Sequence, residues 1–149
     1  VVAIGKPAFR IDVAEASSVI WGYGVGLDMT RRDLQDVAKQ ARRPWDTSKD
    51  FEDAAVISPI TPIAQTGERN SGAITLDVNG EQRQAGDLAD QIWNVAEVIA
   101  NLSRLYHLQP GDLIMTGTPE GVGAVQVGDV LVGRIDGIGE VRLTLGAAA

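Results

Sequence analysis

A chain of 149 residues, 44% hydrophobic and 22% charged, is long enough to bury one core and too short for two full domains. It has no cysteine and a single histidine, which excludes disulfides, thiolate chemistry and any site needing several histidines from one chain. Thirteen basic against twenty acidic side chains leave a net charge of −7, and no dense basic block offers a nucleic-acid surface.

No apolar run approaches the roughly 20 residues that span a bilayer, and the opening VVAIGKPAF lacks the parts of a signal peptide. A soluble, cytoplasmic protein is the expectation. Val1 enters directly on a β-type run with no initiator Met, as if the chain joined partway through a strand. Val1 to Lys6 reads as that strand, closed by Gly5 and Pro7. Asp12 to Ile20 is a short helix that Asp12 can cap. From Trp21 the chain again reads as a strand, with Trp21, Tyr23, Val25 and Leu27 on one face and glycines opposite, and it delivers Asp28 at its end. Thr30 is the expected N-cap of a helix running through Leu34, Val37 and Ala38 until Pro44 stops it.

Residues 42–53 read as an ordered loop, and residues 56–63, broken by Pro59 and Pro62, as an extended edge piece. Residues 65–72 are the most linker-like stretch. Ala73 to Gln84 is a hairpin whose Asn79-Gly80 pair suits a type I′ turn. A helix follows from Asp87, with Ile92, Val95, Ala96, Ile99, Leu102 and Leu105 recurring on one core face. Leu113 to Met115 is a short strand, the loop TGTPEGVGAV comes next, and two strands over 127–135 and 140–145 close the chain before an alanine tail. About seven strands with two or three helices make a β-rich α+β domain.

Three constellations could carry chemistry. Arg32 and Gln35 stand four and seven positions after Asp28, and on a helix from Thr30 they share a face. They read either as a solvated ion-pairing face or, with the acid at a strand mouth beside a helix N-terminus, as part of a cation site. The loop Thr116-Gly117-Thr118-Pro119-Glu120-Gly121-Val122-Gly123, two hydroxyls among three glycines, follows a strand. It is either a plain glycine-rich connection or a cradle of N–H and hydroxyl donors for a carboxylate or phosphate. It lacks the Gly-Lys-Ser/Thr ending of a P-loop. Lys49, in the polar loop, has nothing local to distinguish it from a solvent-facing lysine.

Together these stretches resemble a known family. GYGVGLDMTRRDLQ, RPWDTSKDF, VNGEQRQAGDLADQIW and LQPGDLIMTGTPEGVGAV match, in order and spacing over essentially the whole chain, the fumarylacetoacetate hydrolase superfamily. Within it the chain is most similar to the small acylpyruvate hydrolases, and RPWDTSKDF and GDLADQIW resemble the fumarylpyruvate hydrolases. The resemblance implies a single domain of mixed β-roll type, dimeric, with Mg²⁺ or Mn²⁺ held through three carboxylates. It puts the third of these on Asp28 and sets Lys49 and Gln35 beside metal and substrate. It further implies Arg32 behind the acidic cluster, and Gly117 and Thr118 on the substrate carboxylate. The implied reaction is hydrolysis of a C–C bond in a 2,4-dioxo acid of aromatic catabolism.

By the same resemblance the other two metal carboxylates form a Glu-x-Glu pair just before VVAIG, and a water-activating histidine lies further upstream. The expectation is therefore a domain lacking its N-terminal part, with one of three metal carboxylates and weak Mg²⁺ binding by itself. His107 reads as a helix-end surface residue and not as a substitute. Alternatives are oxaloacetate decarboxylation or dioate isomerisation and decarboxylation on the same scaffold, a non-catalytic dimerisation scaffold, or a carboxylate-binding module using the Thr-Gly-Thr loop.

Overall fold

The computed structural model describes residues 1–147, so the last two alanines of the tail lie outside the described residues. In chain order the elements are β1 (Val2–Ile4), a 3₁₀ helix (Val13–Val19), β2 (Ile20–Tyr23), β3 (Gly26–Asp28), α1 (Arg32–Gln40), α2 (Asp46–Lys49), β4 (Ala55–Ile57), β5 (Thr61–Pro62) and α3 (Ile63–Thr66). Then come β6 (Ala73–Val78), β7 (Glu81–Asp87), a 3₁₀ turn (Leu88–Asp90), α4 (Val95–Leu105), β8 (Leu113–Ile114), β9 (Val130–Ile135) and β10 (Gly139–Thr144). The sheets run β5-β2-β1-β8, β10-β9-β6-β7 and β3-β4, and every neighbouring pair is antiparallel. The α+β, β-rich class expected from the pattern is the class observed.

Two apolar cores organise these layers. Under the first sheet, Val2, Ile4, Val19 and Ile20 pack with Val95 and Ile99 of α4. In the second, Val25 and Leu27 meet Val78, Leu131, Ile135 and Val141. At roughly 1.5–3 kcal/mol for each fully buried aliphatic side chain, these contacts outweigh the few surface ion pairs. Residues 20–28 belong to both cores, and this carries the chain from one layer to the other.

That crossing is where the structure departs from a single strand over Trp21–Leu27. Ile4 pairs with Ile20 and Ala3 with Gly22, so Trp21 is the extra residue of a β-bulge. It turns outward and is 50% exposed, whereas Tyr23, Val25 and Leu27 are buried as expected. The ladder then stops at Gly24, and Val25 donates its N–H to Ser58 Oγ at 2.9 Å before β3 pairs with β4. The proline-interrupted piece likewise divides into β4 and β5, so two extended runs of the sequence give four strands.

Gly22 is what lets β5 dock. A Cβ there would overlap the Thr61 carbonyl oxygen, which is strand backbone and cannot swing away. Gly22→Ala is therefore expected to destabilise the fold by about 2–3 kcal/mol, the upper part of the overpacking range. A denaturant midpoint equal to that of the parent chain would contradict this.

Other boundaries moved for identifiable reasons. Thr30 does not cap α1: its hydroxyl turns back to the Asp28 carbonyl at 3.4 Å, and Arg31 holds the N-cap position. The helix stops before Pro44, at Ala41, because Arg42 adopts a φ of 52°. The loop over 42–53 contains the single-turn α2. Asp87 caps only the short 3₁₀ turn; α4 begins afresh behind Asn94, whose side chain and Glu97 form a reciprocal capping box. Ile92 thus lies in the connection and is 96% exposed, and Leu105, at the helix end, is also exposed. The hairpin turn is as expected, with Asn79 and Gly80 both at positive φ. No helix among the described residues is long and apolar enough to cross a membrane.

Candidate functional site

β3 ends at Asp28, and the backbone just beyond it is tied to the next segment. Met29 donates to the Ala54 carbonyl at 2.8 Å and Arg31 to that of Ser48 at 3.1 Å. Ser48 is fully buried, its hydroxyl donating to the Trp45 carbonyl at 2.6 Å. This buried serine anchors the turn of α2 and presents Lys49, whose Nζ donates to Asp28 Oδ2 at 2.7 Å. The lysine that nothing local distinguished is thus brought onto the acid 21 residues before it.

Arg32 and Gln35 also come together, as their spacing on one helix face predicts. Arg32 Nη1 donates to Gln35 Oε1 at 3.0 Å. The buried side of α1 is formed by Gln35, 3% exposed, and Ala38, while Leu34 and Val37 face outward. A buried carboxamide held by a guanidinium has a fixed orientation, unlike a solvated side chain.

Gly117 and Thr118 stand on the loop after β8. Gly117 has a φ of 101°, a conformation open to glycine at little cost. The loop is clamped by a residue to which the sequence reading gave no role. Gln84 of β7 donates from Nε2 to Thr118 Oγ1 at 2.9 Å, to the Pro119 carbonyl at 2.7 Å and to that of Glu120 at 3.3 Å. The available signal was a polar residue paired across the hairpin with Leu76, which packs against the second core. Gln91 adds a bond to the Thr116 carbonyl at 3.4 Å.

The loop forms one wall of a cavity of about 480 Å³, within the roughly 300–1,000 Å³ common for small-molecule sites. Gly26 and Leu27 of β3 line the same space, as do Tyr23 and Arg69. Asp28, Arg32, Gln35 and Lys49 do not line it; Asp28 is the last residue of β3, next after Leu27, and the other three follow on α1 and α2. Burial pushes the Tyr23 phenol above its ordinary pKa, partly offset by the nearby Arg69, so it keeps its proton at neutral pH. His107 is exposed and stacks on Phe9, with ring centroids 3.7 Å apart, as a helix-end surface residue would.

For a hard divalent cation the donor chemistry offered here is Asp28, an exposed carboxylate at a strand end. Among the described residues, no three histidine, aspartate or glutamate side chains gather to form a complete site. The residues present fit such an ion as one ligand of its shell.

Losing the Gln84 amide would remove two N–H donors that are shared among three oxygens of the loop. Each such bond contributes about 1 kcal/mol net, so Gln84→Leu is expected to lower stability by about 1–2 kcal/mol. Denaturant unfolding checks this, and an unchanged midpoint would mean the loop holds its shape unaided.

The family description "Fumarylacetoacetate (FAA) hydrolase C-terminal" matches residues 1–145. The chain is 57% identical over 148 residues to a fumarylpyruvate hydrolase of Ralstonia sp, covering 99% of this chain and 77% of that protein. It is 41% identical over 137 residues to an oxaloacetate tautomerase of Escherichia coli, covering 91% of this chain and 63% of that one. A crystal structure of fumarylpyruvate hydrolase from Pseudomonas aeruginosa, in complex with Mn²⁺ and pyruvate, superposes with a TM-score of 0.96. That match has 48% sequence identity and covers 99% of this chain and 63% of the other.

Proposed function

Since the chain belongs to the fumarylacetoacetate hydrolase family, we propose that it is a metal-dependent hydrolase of acylpyruvates in aromatic catabolism, with fumarylpyruvate as its substrate. The observation that carries this reading is the Lys49–Asp28 pair at 2.7 Å at the end of β3, in a chain 57% identical to a fumarylpyruvate hydrolase.

In that reaction water adds its hydroxyl to C4, the C3–C4 bond breaks and C3 takes a proton, giving fumarate and pyruvate. The electron pair of the broken bond is first held as the enolate of pyruvate, so positive charge must be waiting near the 2-keto oxygen. A bound Mg²⁺ or Mn²⁺ supplies Lewis-acid stabilisation of that oxygen, and Asp28 is the ligand this chain would contribute. Lys49 adds a second positive charge at the same place. Gln35, fixed by Arg32, orients the substrate through a donor that cannot swing away. The Gly117 backbone and the Thr118 hydroxyl, set by Gln84, take the substrate carboxylate. The working form is a cytoplasmic homodimer, a reading that rests on the family resemblance.

A second reading is favoured by the 41% identity to an oxaloacetate tautomerase: interconversion of keto and enol oxaloacetate, with no C–C bond broken. Comparing pyruvate release from fumarylpyruvate with tautomerisation and decarboxylation of oxaloacetate separates them. A kcat/KM on fumarylpyruvate well above either oxaloacetate rate supports the hydrolase. The reverse order would replace it with the tautomerase or the decarboxylase.

A further inference from the structure

The cavity has one basic side chain in its wall, Arg69. Its Nε is buried without a hydrogen-bond partner, and among the described residues no carboxylate lies within ion-pairing distance of its guanidinium. The head group rests on the backbone of Gly137, where an added Cβ would stand 2.5 Å from Nη2 and 2.8 Å from Cζ. Glycine at 137 thus makes room for the guanidinium, as well as allowing its φ of 68°.

The acids in the same wall are already engaged. The Asp87 carboxylate accepts from the Gly72 N–H at 3.0 Å and the Ala89 N–H at 2.8 Å, and Asp90 accepts from the Asp87 N–H at 3.1 Å. Leaving the buried Nε of this half-buried guanidinium without a partner carries a cost, and an anionic ligand group removes it. The neighbouring Tyr23 phenol, neutral at neutral pH, is compatible with an anion there.

We propose that Arg69 is a specificity-determining residue for the acyl half of the substrate: its guanidinium pairs with the distal carboxylate of a dianionic 2,4-dioxo acid, whose pyruvyl carboxylate lies at Gly117 and Thr118. This rests on the acylpyruvate hydrolase reading. The planar fork of arginine matches a carboxylate with two parallel hydrogen bonds. An acylpyruvate with an uncharged acyl group gives it nothing to bind.

The test compares Arg69→Gln and Arg69→Lys on fumarylpyruvate, which carries the distal carboxylate, and acetylpyruvate, which does not. Arg69→Gln is expected to lower kcat/KM on fumarylpyruvate about 10²-fold, mainly through KM, and to change acetylpyruvate by less than about threefold. Arg69→Lys should fall between, keeping the charge without the fork. Melting curves establish that each variant is folded. Titration calorimetry with fumarate needs no turnover, and affinity should fall about tenfold in Arg69→Gln. Equal losses on both substrates in folded variants, or equal fumarate affinity, would overturn the assignment. A parent chain that turns over neither substrate yet binds fumarate through Arg69 would sink the hydrolase reading and leave Arg69 as the carboxylate-binding group.

Discussion

Replacing Lys49 by Met is expected to lower turnover of fumarylpyruvate by about 10²–10³-fold while shifting stability by less than about 1 kcal/mol. The two effects separate because of where the pair lies. The side chains of Lys49 and Asp28 are 34% and 52% exposed, so water competes for both charges in the folded state. Their short contact therefore contributes little to folding, and α2 is anchored by buried Ser48 and not by its lysine. Catalysis draws on the same charge differently. An ammonium already positioned beside a forming enolate stabilises the transition state more than the ground state, and methionine fills the space without the charge. A parallel loss of activity and melting temperature would mean that Lys49 acts as a structural staple.

Asp28→Asn is the second large effect expected. The substitution keeps size and shape and still offers Lys49 an acceptor oxygen, so β3 should form as before. What disappears is the negative charge and the hard oxygen donor. Turnover is expected to fall at least about 10²-fold, and the Mn²⁺ concentration for half-maximal activity to rise steeply. The Mn²⁺ dependence distinguishes loss of a ligand from loss of a mere neighbour of Lys49: the latter would lower kcat at an unchanged Mn²⁺ requirement.

Local structure was most legible where one physical signal acted alone. Asn79-Gly80 between alternating residues specified the hairpin turn, and Val95, Ile99 and their neighbours specified the inner face of α4. The pattern misled where a long-range contact competed with it. The run from Trp21 to Leu27 alternates without interruption, but pairing with both β1 and β5 demands a bulge at Trp21 and a change of sheet after Tyr23. Ile92 continues the helical spacing of α4, yet the Asn94 cap starts the helix after it.

The candidate site shows the same division. Arg32 and Gln35 were readable as a pair because helical spacing is local, and they do bond. Lys49 reaches Asp28 across 21 residues, and only the family resemblance pointed there. Gln84 and Arg69 act through contacts that no spacing rule encodes: one clamps a loop more than thirty residues ahead of it, the other lies against the Gly137 backbone in a distant turn. Burial without an internal partner, the property that singles out Arg69, exists only in three dimensions.

The central claim, metal-dependent cleavage of an acylpyruvate, is tested most directly by measuring pyruvate release from fumarylpyruvate after exhaustive chelation and again after Mn²⁺ is restored. The account predicts that chelation abolishes turnover, that Mn²⁺ or Mg²⁺ restores it in the parent chain, and that Asp28→Asn recovers little. Full-rate pyruvate release from the chelated protein, or equal recovery in Asp28→Asn, would contradict it.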